Sequence, residues 1–245
     1  LLYYRLFLLG SPFLRPELAA GRGLSFTFCM PFLLVNKPVG WTSHDVVAKL
    51  RGILREKKIG HAGTLDPFAM GLLIVGVGRE ATKRLDEFKR LEKEYEVAMK
   101  FGFVSDSYDC DGVIAPHPLA RPVAEEELEK ILPKYRGVIE QVPPMFSAKK
   151  VGGRKLYELA RQGAEIERRP QTVTIFELEI LECAPDSARL RVVCSSGTYI
   201  RSLVHDIGQD LGAGAYAAAL VRTRIGPYRL SEAKTIEQIS RPLSE

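Results

Sequence analysis

The sequence predicts an α+β fold, with a mixed, mostly antiparallel central sheet flanked by helices and loops. Three observations predict it. Tyr95, Val97, Met99 and Phe101 alternate with Glu94, Glu96, Ala98 and Lys100, which is the period of a half-buried strand. Residues 72–77 form an unbroken apolar run, the mark of a strand covered on both faces. Strand-like and helix-like stretches follow one another without strict βαβ alternation, which argues against a parallel sheet.

The elements follow in order. Residues 33–36 read as a short strand, ended by Lys37-Pro38 and Gly40. Thr42 or Ser43 then caps a helix, and Val46, Val47, Leu50, Ile53 and Leu54 keep its 3.6-residue period. Residues 60–67 hold two glycines and a proline and read as a loop running into the apolar strand. Residues 79–91 read as one charged helix, in which Glu80, Asp86 and Glu87 pair some of the lysines and arginines internally. After the alternating strand come an acidic loop over 105–112 and a helix over 125–132 with Leu128, Ile131 and Leu132 inward. Pro143-Pro144 opens a loop, and a short helix over 155–162 is stopped by Gly163. Strands are expected over 172–182 and 188–194, the second with Leu190, Val192 and Cys194 inward and Arg189 and Arg191 outward. Thr198 caps a helix carrying Ile200, Leu203 and Ile207, with Gly212 at its end.

No repeat or linker-like stretch divides the chain, so one compact catalytic-sized domain is expected over 30–245. Residues 1–29 show no clean period, carry Glu17 as their only acid, and precede Met30, the first methionine. They read as a poorly ordered extension. It is either a targeting segment or sequence upstream of a true start at Met30, and the second reading is preferred.

Composition excludes several classes. The 245 residues are 46% hydrophobic and 27% charged, with 21 glycines and 15 prolines, which is globular rather than low-complexity. No apolar run approaches the ~18 residues of a membrane span, so no membrane association is expected. Cys29, Cys110, Cys183 and Cys194 form no C-x-x-C pair, and no histidine completes a zinc spacing. No metal and no disulfide framework are expected, and the cytoplasm is the expected location. Thirty-five basic residues against 30 acidic give a net charge of +5, which favours a polyanionic partner.

Four places could carry chemistry. In Gly60-His61-Ala-Gly-Thr-Leu-Asp66-Pro67, the proline forces Asp66 out of the helical region in a loop braced by a buried strand. Such an aspartate is an Asx-turn former, a nucleophile or a general base, and His61 is a surface hydrogen-bonder or a site residue. In residues 194–203, Arg201 stands in the first turn of a helix, where the macrodipole opposes a cation. It therefore needs an anion nearby, in a surface ion pair or a functional carboxylate. Tyr95 is either a core tyrosine or a residue that stacks a base or moves a proton. Phe146, Lys149, Lys150, Arg154, Lys155, Tyr157 and Arg161 interleave cations with rings, as a nucleic-acid surface or a solvated helix face would.

Three decoys fail. Ser43-His44-Asp45 cannot form a relay, because adjacent side chains diverge. Ser107, Asp109, Asp111 and Gly112 imitate part of a calcium loop, but Pro118 occupies the place of the closing acid. Gly76-Val-Gly78-Arg-Glu-Ala81 fits a dinucleotide fingerprint, but the helix after it is too charged and the acid beyond falls at the wrong end of a strand.

Taken together, the motifs resemble the TruB family, the tRNA pseudouridine-55 synthases. The resemblance is carried by Leu33-Leu-Val-Asn-Lys37-Pro38-Val-Gly40-Trp-Thr-Ser43, by Gly60-His61-Ala-Gly63-Thr64-Leu65-Asp66-Pro67 with Gly71 and Gly78-Arg-Glu-Ala-Thr82-Lys83, and by Lys93-Glu-Tyr95. The 106–112 loop, Gln141-Val-Pro-Pro144-Met-Phe146-Ser-Ala-Lys149 and Lys155-Leu-Tyr157-Glu-Leu-Ala-Arg161-Gln-Gly163 follow in order. Residues 194–203 and Leu220-Val-Arg222-Thr-Arg224-Ile-Gly226 complete the series, which covers about 31–235.

The resemblance implies a pseudouridine synthase fold and an isomerase that converts uridine 55 of the tRNA T-loop. It matches Asp66 to the catalytic aspartate, Arg201 to its arginine partner, and Tyr95 to the residue stacking on the uracil and moving the C5 proton. It matches His61 to the histidine that enters the T-loop as the uridine flips out. Tyr199 and Leu220 match walls of the base pocket, Lys37 and Pro38 its support, and Lys149 and Arg154 fall in the RNA-binding stretch. Flipping needs a residue to fill the gap and a ring to receive the base, roles that suit His61 and Tyr95. Exchange of C1′–N1 for C1′–C5 implies no cofactor. Asp66 would attack the sugar, attack C6 or take a C2′ proton, and Arg201 would keep it ionised and oriented.

The expected partner is the T-stem-loop of tRNA, and a monomer is expected. Two departures from the family pattern stand out: no C-terminal PUA-type domain is expected, and Phe146 replaces a frequent tyrosine. The competing reading is an RNA chaperone that opens the tRNA elbow without catalysis; it would need the basic surface and His61 but not Asp66. A guide-RNA-directed subunit and a nucleotide-binding oxidoreductase fit the motifs less well.

Overall fold

In a computed structural model of the chain, the described residues are 32–146, 150–151, 154–155 and 167–240, with 150–151 and 154–155 described in backbone only. The expectations for residues 1–29, for Lys149 and for most of the 155–162 helix lie outside them. Strands are β1 (Phe32–Lys37), β2 (Ile59–Ala62), β3 (Ala69–Val77), β4 (Lys93–Phe101), β5 (Phe103–Ser105), β6 (Ile114–Pro116), β7 (Gly137–Gln141), β8 (Lys150–Val151) and β9 (Arg154–Lys155). They continue with β10 (Gln171–Ala184), β11 (Ser187–Cys194), β12 (Ala215–Ile225) and β13 (Tyr228–Arg229). Helices are α1 (Ser43–Leu54), α2 (Arg79–Lys83), α3 (Leu85–Lys89), α4 (Glu125–Ile131), α5 (Ile200–Asp210) and α6 (Ile236–Ser240).

The main sheet runs β1-β3-β12-β4-β11-β10-β7, with β2 added to β3 and β13 to β12. Among the described residues every strand-to-strand pairing of this sheet is antiparallel except β12 with β3. The expected α+β architecture with a mixed, mostly antiparallel sheet therefore holds. On β4, Tyr95, Val97, Met99 and Phe101 are buried and the residues between them are half-buried. That inner face packs with Leu190 and Val192 of β11 under Leu203, Val204 and Ile207 of α5. β3 is buried on both faces: Leu73 and Val75 meet Val46, Val47 and Leu50 of α1, while Leu72 and Ile74 join Phe32, Leu85 and Phe88. No helix among the described residues is long and apolar enough to cross a membrane. Cys110, Cys183 and Cys194 are free thiols.

Thr42 caps α1, in a capping box with Asp45. Four local expectations are corrected. Residues 60–62, expected in a loop, belong to β2, because β3 pairs with them and Gly60 lets Leu85 approach to 2.9 Å of where a Cβ would sit. The expected helix over 79–91 is two short helices meeting at Arg84. Its internal pairing is real, with Lys83–Glu80, Arg84–Glu87 and Lys89–Asp86. Tyr199, not Thr198, caps α5; the Thr198 hydroxyl donates to the Ser195 carbonyl instead. Lys155 lies in β9 rather than at a helix start.

β12 has the least strand-like sequence of the long strands. Ala215, Ala217, Ala218 and Ala219 have weak β propensity. Its place is set by neighbours on both sides. It runs parallel to β3, with Leu220 opposite Ala69, and antiparallel to β4, with Arg222 opposite Tyr95. Gly71 sits against it at φ +112°, and a Cβ there would lie 2.5 Å from the Arg222 carbonyl oxygen. Gly71→Ala is therefore expected to lose roughly 2–5 kcal/mol of stability, read as a lowered denaturant midpoint with unchanged slope.

Candidate active site

Four pieces of chain converge at one end of the sheet: the 63–67 loop before β3, the start of β4, the β11–α5 turn, and the middle of β12. They line a cleft of about 300 Å³ that includes Asp66, Lys93, Tyr95, Tyr199, Leu220 and Arg222. Its size suits one nucleotide base rather than a helix.

The 63–67 loop is fixed from three sides. The Ser43 hydroxyl accepts from Leu65 N at 2.9 Å and donates to Leu65 O at 3.2 Å. Gly40 N donates to Pro67 O at 2.8 Å, and Lys37 Nζ to the same oxygen at 3.4 Å. Lys37 Nζ also donates to Pro38 O and Trp41 O, and Arg222 reaches Gly63 O at 3.2 Å and Thr64 O at 3.4 Å. A carboxylate on such a loop loses little conformational freedom when substrate arrives. Ser43, the first member of the rejected triad, thus has a bracing role.

Asp66 Oδ2 lies 3.0 Å from Arg201 Nε, and the aspartate side chain keeps 35% of its surface exposed toward the cleft. Arg201 is 3% exposed, and its other donors are also engaged: Nη1 to Asp109 Oδ2 at 2.9 Å and Ser107 O at 3.0 Å, and Nη2 to Phe146 O at 2.9 Å. Asp109 is in turn held by the Ser107 hydroxyl at 2.6 Å and Asp111 N at 3.0 Å. The cation that the helix dipole disfavours is thus offset by two carboxylates and two carbonyls. Gln141, buried, locks the start of α5, accepting from Tyr199 N at 2.8 Å and donating to Tyr199 O at 3.0 Å.

Asp109 and Gln141 were not among the sequence candidates. Asp109 fell within the imperfect calcium-loop pattern, and its partner is 92 residues away. The one cue was that Arg201 needed an anion.

Burial raises the Asp66 pKa, Arg201 opposes, and Asp109 adds to the rise; the net shift is upward. Arg201 therefore orients Asp66 and favours its ionised form, while burial pulls the other way. If the carboxylate is the reactive form, the rate falls as pH drops through this raised pKa. The acid limb of the single-turnover rate is thus expected above the usual ~3.9 of an aspartate. A limb at or below that value would contradict the assignment. Burial also pushes the Tyr95 hydroxyl up, against the pull of Arg222, so it stays protonated through neutral pH.

The remaining candidates divide. Tyr95, Tyr199 and Leu220 line the cleft with Asp66. Lys37 is fully buried beneath the loop rather than in the cleft wall. His61 stands on β2 opposite Val75 and lines a neighbouring cleft with His44, Arg51, Lys57 and Lys58, not the Asp66 cleft. Arg154 is on β9, opposite Val151.

Comparisons with known proteins bear on this arrangement. The model described as "TruB family pseudouridylate synthase (N terminal domain)" matches residues 51–200, and that of the "tRNA pseudouridylate synthase B C-terminal domain" matches 201–244. A tRNA pseudouridine synthase B of Heliobacterium mobile is 47% identical over 217 residues, covering 87% of this chain and 70% of the relative. One of Geobacillus kaustophilus is 46% identical over 216 residues, covering 85% and 75%. Among solved structures, a Cbf5–Nop10–Gar1 complex matches with a TM-score of 0.65 at 32% identity over 84% of this chain. An H/ACA RNP bound to a substrate RNA containing 2′-deoxyuridine matches with a TM-score of 0.63 at 30% identity, also over 84%. This chain spans about half the length of those two chains, 52% and 51%.

Proposed function

The chain belongs to the TruB family of pseudouridylate synthases, and from that premise we propose that it isomerises uridine 55 in the tRNA T-loop to pseudouridine. The observation that carries the reading is the Asp66–Arg201 pair, opening on a base-sized cleft walled by Tyr95, Tyr199 and Leu220. The target base is stacked inside a folded loop and must be extruded to be reached. The cleft receives it against the Tyr95 ring. Asp66 acts at the reacting centre, held by Arg201, and the Tyr95 hydroxyl handles the proton at C5. His61, in the adjoining cationic cleft, lies where the opened T-loop would rest, and Lys37 supports the loop from behind. Lys149 and Arg154 contribute to the RNA surface. The enzyme acts as a monomer in the cytoplasm, with the T-stem-loop as substrate.

Isomerisation releases the C5 proton. A tRNA transcript carrying tritium at C5 of its uridines is therefore expected to release one equivalent of tritium per molecule. Binding without release would support the non-catalytic chaperone reading.

A further inference from the structure

Two cations on the cleft floor, Lys93 and the loop-bracing Arg222, have no role toward substrate in the account so far. Lys93 is 5% exposed and Arg222 is 1% exposed, and both line the cleft with Asp66 and Tyr95. Lys93 Nζ donates to Lys89 O and Leu91 O, and Arg222 Nε to Leu72 O at 2.8 Å. Among the described residues neither has a carboxylate within ion-pairing distance. Asp66 and Asp109 are both committed to Arg201. The floor therefore carries more positive than negative charge. A buried charge without a counter-ion is costly, and carbonyl contacts offset the cost only in part. Such a site is completed by an anion.

We propose that Lys93, assisted by Arg222, is a further catalytic group that stabilises negative charge on the uracil while it is detached from the ribose. The inference rests on the isomerase reading above. In that reaction the C1′–N1 bond breaks with its electron pair on the pyrimidine, and the charge spreads to O2 and O4. C1′ then bonds to C5, C5 gives up its proton and N1 takes one, so atoms and electrons balance without an oxidant or reductant. Charge on the ring arises whether Asp66 attacks the sugar, attacks C6 or removes the C2′ proton. A fixed cation at that place acts as an oxyanion hole does.

Geometry selects the base over the phosphate as the anion. A phosphodiester stays with the RNA backbone at the cleft mouth, where Lys89 is exposed and already paired with Asp86. The flipped base is the part of the RNA that would enter the cleft. Lys93 lies two residues before Tyr95 on the same face of β4, and Arg222 is paired opposite Tyr95, so a base resting on the Tyr95 ring would lie beside both cations. Burial and the nearby Arg222 lower the Lys93 pKa to about 8, opposed by Cys194, which leaves the ammonium mostly protonated at neutral pH.

The test compares wild type with Lys93→Met, Lys93→Gln and Lys93→Arg, reading the single-turnover rate and the Kd for unmodified tRNA transcript. Met and Gln are expected to slow the chemical step about 100-fold with Kd changed less than about threefold, and Arg to recover at least about tenfold of the loss. Gln keeps hydrogen-bond donors for the two carbonyls, so it carries the comparison with Arg if Met does not fold. Equal rates for Gln and Arg, a wild-type rate for Gln, or a loss confined to Kd would each overturn the proposal. A wild type that forms no pseudouridine removes the reading beneath it. A productive wild type with an unaffected Gln variant removes this inference alone.

Discussion

Asp66→Asn is expected to lower pseudouridine formation by roughly 10⁴-fold or more while leaving the Kd for tRNA within about threefold. Asparagine keeps the shape and an oxygen for Arg201 Nε, but it has no charge to attack a carbon or accept a proton. Arg201 retains Asp109, so the buried guanidinium keeps an anionic partner. Stability should not suffer. Burial raises the Asp66 pKa, so an ionised Asp66 costs the folded state more than it costs the unfolded chain. Replacing that form with a neutral group is expected to leave the melting temperature unchanged or slightly higher, as at other sites where function strains the fold. Rate by quantified pseudouridine, Kd by filter binding and a thermal melt check the three parts. A large fall in Tm would show that Asp66 is held for structure.

Arg201→Met is expected to damage both fold and activity. It leaves Asp66 and Asp109 facing one another with no cation between them, and strips Phe146 O and Ser107 O of their donor. Removing one partner from a buried ion cluster costs roughly 3–5 kcal/mol, or about 10 °C in Tm for a chain of this size. Asp109→Asn alone is expected to cost less, because Asn can still accept from Arg201. Adding Asp109→Asn to Arg201→Met should restore part of the stability, since the surplus carboxylate is gone, while activity stays lost. That separation distinguishes the electrostatic cost from the catalytic one. Independent, additive losses would contradict the shared network.

The parts of the fold written into local pattern were legible. β4 showed its inner face through strict alternation, α1 through period and cap, and β3 through an unbroken apolar run. β12 was not, because an alanine-rich strand becomes a strand only when β3 and β4 flank it. The 79–91 stretch kept its ion pairs but broke at Arg84, which ends one short helix and begins the next.

The site shows the same division. The constrained loop made Asp66 visible, and the dipole argument showed that Arg201 lacked an anion. Their pairing across 135 positions has no local signature and came from the family resemblance. Asp109, Gln141 and the backbone-held Lys93 and Arg222 depend on contacts that only the folded chain creates. His61, matched through the resemblance to the histidine that enters the T-loop, lines the cleft next to that of Asp66.

The central claim is site-specific isomerisation, and position-resolved detection of pseudouridine tests it most directly. Wild-type protein would be incubated with an unmodified tRNA transcript, and every uridine then scored. The account predicts conversion of uridine 55 in the T-loop, with the other uridines unchanged. Tight binding with no pseudouridine anywhere, or conversion at a position outside the T-loop, would contradict it.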